Sequence, residues 1–198
     1  FLKSLSKREI ICGYGEILKH SLIENKKFFI FLNKNLKKIL SLSSPFIEKA
    51  IYESCKIKKK IVEKDEKETA LRKVLNFGHT FGHAYEAGLG YSHKLNHGEA
   101  VILGMKTALN FSLRENMLSK NEYNLIINHI DNSGLPSSIK KHFSIKDLNK
   151  ILSFMIKDKK NNSEKINLVL LKNIGKPIFN KQYSKKKVNL FLRKFLTN

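Results

Sequence analysis

The stretch Arg72-Lys-Val-Leu-Asn76-Phe-Gly78-His79-Thr-Phe-Gly82-His83-Ala-Tyr-Glu86, followed shortly by His97-Gly98-Glu99, holds three of the chain's seven histidines. His79 and His83 are four residues apart, so a helix places them one turn apart on one face, and Glu86 continues that face. Arg72 and Asn76 would precede them on the same strip. The spacing predicts one helix from about Leu71 to Gly88-Leu89-Gly90 and another opening at His97-Gly98 and running to about Asn116. Two imidazoles side by side, with a third returning from a nearby segment, are how a protein builds a divalent-metal site. Spacing alone makes both His79 and His83 ligands, as in paired-histidine zinc helices. A lone histidine on an apolar face is more often a core residue. Here Gly78 and Gly82 flank the pair and would clear space for a ligand on that face.

Outward from this segment the chain reads as helices. Ser6 with Glu9 has the form of a capping box, and apolar residues at three and four predict a helix to Ile23. A second helix covers Asn25 to Leu42. Ser44-Pro45 would open a third, with Ser as cap, running to about Val62. Residues 63–69 read as a loop. Ser119 would cap a helix from Lys120 to Asn132, broken by Gly134-Leu135-Pro136. Ser144 with Asp147 would begin another, to about Met155. The alternating segment Lys165 to Ile174, with Lys176-Pro177-Ile178-Phe179, predicts one short strand pair. Ser184 caps a last helix to Leu196. The expected fold is mainly α, a multi-helix bundle with one small β-hairpin.

On the first helix Glu16, Lys19 and His20 share a face. Gly13 and Gly15 before them each cost about 1 kcal/mol relative to Ala in a helix interior, which points to a close approach. Glu16 by itself reads as a solvated helix face. The Arg72 guanidinium could hold a carboxylate with both arms, or pair with Glu68 or Asp65 at the surface. Lys58, and Lys159 and Lys160 after Asp158, read alone as solvated charges.

The formal charge of +21 admits a polyanion partner. The lysines, however, are spread over almost every segment and do not alternate with aromatics, which weighs against nucleic acid. No apolar run approaches the roughly 20 residues of a membrane span. Cys12 and Cys55 form no CxxC pair, so a reduced, cytoplasmic protein is expected. Phe1, with no capping signal before it, suggests a chain that begins inside something larger.

Taken in order, Gly13-Tyr-Gly-Glu16-Ile-Leu-Lys19, then Asp65-Glu66-Lys-Glu68 leading to Arg72, then Leu75-Asn76-Phe-Gly-His79-Thr-Phe-Gly-His83-Ala-Tyr-Glu86, then His97-Gly98-Glu99-Ala-Val closely resemble the 3-dehydroquinate synthases. The resemblance covers most of residues 1–115. It implies the helical C-terminal domain of a two-domain lyase whose N-terminal domain binds NAD, a homodimer in its full form. The implied reaction is the shikimate-pathway step from 3-deoxy-D-arabino-heptulosonate 7-phosphate to 3-dehydroquinate and phosphate. Carried over by position, Glu16, His79 and His97 would bind zinc or cobalt, and His83 and Glu68 would move protons. Lys19, Lys58, Arg72, Asn76 and Lys159 or Lys160 would meet the anionic sugar-phosphate substrate. Phe1, Leu2, Lys3, Ser4 and Cys12 would lie beside the NAD.

Three departures stand out. Ala70 replaces a customary Gly, which would cost about 1 kcal/mol if that turn needs positive φ. Cys12 replaces a polar residue. No GxGxxG-like loop follows a strand, so this chain alone should not complete a redox cycle. Rival expectations are a related sugar-phosphate cyclase, a metal-dependent polyol dehydrogenase, a non-catalytic remnant and a basic nucleic-acid-binding module.

Overall fold

Ser6 starts the first helix by reciprocal capping: its Oγ accepts from Glu9 N at 3.3 Å, and the Glu9 carboxylate accepts from Ser6 N at 2.7 Å. The structure, a computed structural model, describes residues 2–157 and 165–197. Helix α1 (Lys7–Glu24) runs into α2 (Lys26–Leu40) through Asn25, which ends the first and caps the second by accepting from Phe28 N at 3.0 Å. Helix α3 (Phe46–Lys64) packs on both. Ser44 is not its cap. Pro45 occupies that position without a side-chain bond, and the Ser43 carbonyl takes the first amides, Phe46 N and Ile47 N.

The single helix expected from Leu71 is two pieces. A 3-10 helix covers Leu71–Asn76, and α4 (His79–Gly88) begins anew. The break is Gly78 at φ +82, a backbone conformation that side chains disfavour. A Cβ on Gly78 would also lie 2.8 Å from Met105 N, and one on Gly82 3.0 Å from Ala100 O. Both glycines therefore face helix α5 (His97–Arg114) and admit its backbone. They do not clear space for a ligand, as the spacing had suggested. From the other side, a Cβ on Gly104 would stand 2.1 Å from Gly78 O. Gly15 serves α1 similarly, where a Cβ would meet Ile102 Cγ1 at 2.8 Å.

Helix α5 is consequently the axis of the molecule, buried from Ala100 to Met105 and again at Ala108, Leu109 and Phe111. Most of its circumference is buried, and the polar residues Lys106, Asn110 and Arg114, four apart, form the stripe left at least partly exposed. Around it lie α6 (Lys120–Asn132), capped by Ser119, and α7 (Leu148–Lys157), entered through a capped turn at Ile145–Asp147. Strands β1 (Lys165–Asn173) and β2 (Lys176–Ser184) pair antiparallel, and β2 is longer than the four residues predicted. The hairpin turn is tied to α1 by Gly175 N donating to Leu22 O at 2.7 Å. Helix α8 (Lys185–Thr197) closes the core with Val188, Phe191 and Leu192. Among the described residues no helix is long and apolar enough to cross a membrane.

Gly104→Ala should lower the unfolding free energy by about 2–3 kcal/mol, because neither backbone at that contact can yield without moving a helix. Urea denaturation reads this directly; an unchanged midpoint would refute the close approach.

Candidate metal centre and anion cavity

Three helices deliver the site. His79 opens α4, His83 follows one turn later, and His97 is the first residue of α5. Each offers a ring nitrogen, and these atoms all lie within 4.8 Å of one another. From α1 comes Glu16, whose Oε2 receives Lys19 Nζ at 2.7 Å. Its Oε1 is buried without a hydrogen-bond partner among the described residues, 4.0 Å from His79 Nε2.

Two of the imidazoles are oriented from behind. His79 Nδ1 lies 3.3 Å from Phe77 O, which makes it the donor and leaves the Nε2 lone pair facing Glu16. His97 Nδ1 lies 2.9 Å from Glu86 Oε2, the carboxylate–histidine arrangement that commonly backs a metal ligand. His83 makes no hydrogen bond among the described residues and touches only the other two rings. Arg8 grips Glu99 with both arms, at 2.7 and 2.5 Å, while Glu99 also accepts from Asn96 N at 2.8 Å. That clamp ties the start of α1 to the first turn of α5 and so sets His97 relative to Glu16. Arg8 and the backing role of Glu86 went unread in the sequence; the Asn96–Glu99 capping box was the available signal.

The protonation states suit a cation. Burial, reinforced by the Lys19 charge, pushes His79 down to about 3. Burial would raise Glu16, yet the charge and hydrogen bond of Lys19 hold it below the usual carboxylate range. An ionised carboxylate and a neutral imidazole are the forms that bind a metal. Donors around a tetrahedral zinc ion stand about 3.3 Å apart, so side-chain adjustments of an ångström or so would close these separations. An orphaned, ionised oxygen beside the neutral His79 imidazole, with two further ring nitrogens within 4.8 Å, fits a divalent cation.

Beside the histidines lies a cavity of about 210 Å³ whose lining includes Lys19, Lys58, Arg72, Asn76, Glu68 and His20. Its rim is shaped by Asp65, whose carboxylate accepts from the amides of Arg72, Ala70 and Thr69 and from the Thr69 hydroxyl, at 2.8–3.0 Å. Those bonds, the Arg72 amide foremost, pull Asp65 down to about 2. In this latch positive φ falls on Glu68, at +55, whereas Ala70 has φ −142. The expected strain at Ala70 therefore does not arise. Arg72 directs Nη1 to Glu66 O at 2.6 Å and makes no ion pair with Asp65. Asn76 donates to Glu68 Oε1 at 2.8 Å. Arg72 and Asn76 are thus not on the helix that carries His79 and His83, yet Arg72, Asn76 and His79 line one cavity.

Of the positions expected near NAD, Leu2–Ser4 form a 3-10 turn before α1, and Cys12 is half-buried against α5, where a Cβ on Gly98 would lie 2.6 Å from Cys12 Cα. An apolar groove of about 240 Å³ runs from Leu2 past Gly13 to Glu16. Phe1, Lys159 and Lys160 lie outside the described residues.

A family model described as 3-dehydroquinate synthase C-terminal matches residues 13–161. The chain is 65% identical over 197 residues to the 3-dehydroquinate synthase of Pelagibacter ubique (strain HTCC1062), covering 100% of this chain and 54% of that protein. It is 39% identical over 183 residues to that of Thermodesulfovibrio yellowstonii, covering 92% and 50%. The chain spans about half the length of the curated relatives it matches. Two solved structures share the fold at TM-score 0.81. One is ValA, a 2-epi-5-epi-valiolone synthase from Streptomyces hygroscopicus subsp. jinggangensis 5008 with NAD+ and Zn2+ bound, at 18% identity over 97% of this chain and 52% of that one. The other is a 2-deoxy-scyllo-inosose synthase complexed with carbaglucose-6-phosphate, NAD+ and Co2+, at 23% over 96% and 53%. These likenesses bear out the mainly helical fold with one hairpin.

His20 and His129 are pushed down to about 4 by burial, alongside His79 at about 3. With folded values below the unfolded 6.5, each takes up its proton on unfolding, and its contribution to stability is lost as pH falls from about 6.5 towards 4. The metal-free protein should therefore have a lower urea midpoint at pH 5 than at pH 7. Equal midpoints would contradict neutral, buried imidazoles.

Proposed function

The chain belongs to the 3-dehydroquinate synthase family, and on that premise we propose that it forms the metal- and substrate-binding half of a lyase. The reaction assigned to it closes 3-deoxy-D-arabino-heptulosonate 7-phosphate to 3-dehydroquinate with loss of phosphate, in the shikimate route to aromatic amino acids. One observation carries the reading: the orphaned Glu16 oxygen, 4.0 Å from a neutral His79 nitrogen, at the edge of a cavity lined by cations.

Glu16, His79 and His97 are assigned as the zinc or cobalt ligands. His83 is left out because metal-binding histidines almost always have their second nitrogen oriented by a partner, and among the described residues His83 alone of the three lacks one. A divalent cation bound there would lower the pKa of a substrate hydroxyl. A nucleotide-binding domain outside this chain would hold most of the NAD, which would supply reversible hydride chemistry at the substrate hydroxyl.

The chain's own side chains then divide the work. The planar fork of Arg72 suits the substrate carboxylate, and Lys19 and Lys58, with Lys159 or Lys160, neutralise the phosphate. Asn76 orients Glu68 as proton acceptor through the 2.8 Å bond. His83, exposed and without a hydrogen bond among the described residues, has a ring nitrogen available to relay a proton. As the C–O bond to phosphate breaks, these cations hold the departing dianion. Ring opening and an aldol step then form the carbocycle.

His97→Ala should abolish stoichiometric zinc on elemental analysis while leaving the helical circular dichroism intact; retained zinc would refute the ligand set. His83→Ala should keep the metal but slow turnover about 10²–10⁴-fold when the chain is joined to a nucleotide-binding half. Loss of zinc in that variant would instead make His83 a ligand. Arg72→Ala should raise KM for the carboxylated substrate about 10–100-fold. Indifference to that change would favour a related cyclase acting on an uncarboxylated sugar phosphate.

A further inference from the structure

The cation-lined cavity contains one polar group that these roles leave unused. His20 follows Lys19 on α1, is 4% exposed, and lines the same cavity. Its Nε2 is buried and has no hydrogen-bond partner among the described residues. Its Nδ1 lies 2.7 Å from Ser54 Oγ on α3, and this is the one hydrogen bond of the Ser54 hydroxyl among the described residues.

That pair has two possible proton arrangements. With the proton on Nδ1, the imidazole donates to Ser54. The Ser54 hydrogen, in a residue only 6% exposed, then faces no acceptor, and the Nε2 lone pair faces no donor. With the proton on Nε2, Ser54 donates to Nδ1 and only the Nε2–H is left over. Every unmet buried polar group is costly, so the second arrangement prevails. The protein thereby holds a buried N–H donor for which the described residues supply no acceptor. Burial and the neighbouring Lys19 charge lower the ring to about 4, so it is uncharged at neutral pH. Where Lys19, Lys58 and Arg72 already repel one another, an uncharged donor adds a hydrogen bond without adding repulsion.

We propose that His20 is a further ligand-binding residue, its Nε2–H donating to an oxyanion of a phosphate or carboxylate group in the Lys19–Lys58 cavity, with Ser54 as the positioning residue that keeps the proton there. The substrate identity rests on the function proposed above; the donor assignment does not require the metal.

The test uses the 15N-labelled, metal-free chain at pH 7, with imidazole nitrogens read by long-range proton–nitrogen NMR. Inorganic phosphate and acetate are titrated separately at constant ionic strength. The expected result is the Nε2–H tautomer at His20 and a saturable shift of Nε2 with one anion; the responding anion says which substrate group sits there. Ser54→Ala should mix the tautomers and weaken that anion several-fold, and His20→Phe should weaken it about 10-fold or more. An Nδ1–H tautomer in the unmutated chain overturns the proposal, as does an Nε2 signal that neither anion moves; both readings need no variant to fold. Zinc binding is measured separately. A chain that binds no zinc but shows the His20 response sinks the metal assignment alone, and the opposite pattern sinks the His20 assignment alone.

Discussion

The site exists because three helices approach one another at backbone distance. Gly104 lies against the Gly78 carbonyl, Gly82 against the Ala100 carbonyl, and Gly15 against Ile102. A side chain at Gly104 or Gly82 would push α4 away from α5, and one at Gly15 would need Ile102 to repack for α1 to keep its place. Since Glu16, His79 and His97 sit one on each helix, such a displacement would carry a donor out of reach of the others. The Arg8–Glu99 clamp fixes the same geometry at the open end of the crossing, where His97 is largely exposed. Ion pairs at surfaces are individually weak. This one has two-armed geometry and a Glu99 side chain that is 13% exposed, which favours a positional role.

Charge is arranged in two ways on this very basic chain. Lys26, Lys60, Lys106 and Lys187 spend their charge on carboxylates of other elements. At the cavity the balance differs: Lys58 and Arg72 line it without a carboxylate in contact among the described residues, and of the two acids that line it, Glu16 is already paired with Lys19 and Glu68 accepts from Asn76. A concave surface with an excess of cations attracts an anion, whereas paired lysines on outer faces mainly maintain solubility. The net charge is therefore a poor guide to function, and its local surplus a better one.

Much of this was legible beforehand. The capping box at Ser6 and the caps at Ser119 and Ser184 mark helix starts because their chemistry is local, and α1, α6 and α8 fall within a residue or so of where caps and periodicity put them. The Leu71–Gly88 region was misread as one helix, since periodicity continues across Gly78 and only packing against Met105 demands the positive φ. The same cause explains the glycines: their composition signals close approach, but whether to a ligand or to a helix depends on what folds over them.

By itself, the sequence determined the helical class, the order of the elements and the clustering of histidines, because capping, periodicity and i, i+4 spacing act within a few residues. Only the tertiary structure decided that Glu16 joins His79, which imidazoles have an orienting partner, and that His20 is left with an unmet nitrogen. Those are relations among residues far apart in the chain, set by how closely backbones pack and by which buried polar groups find a mate.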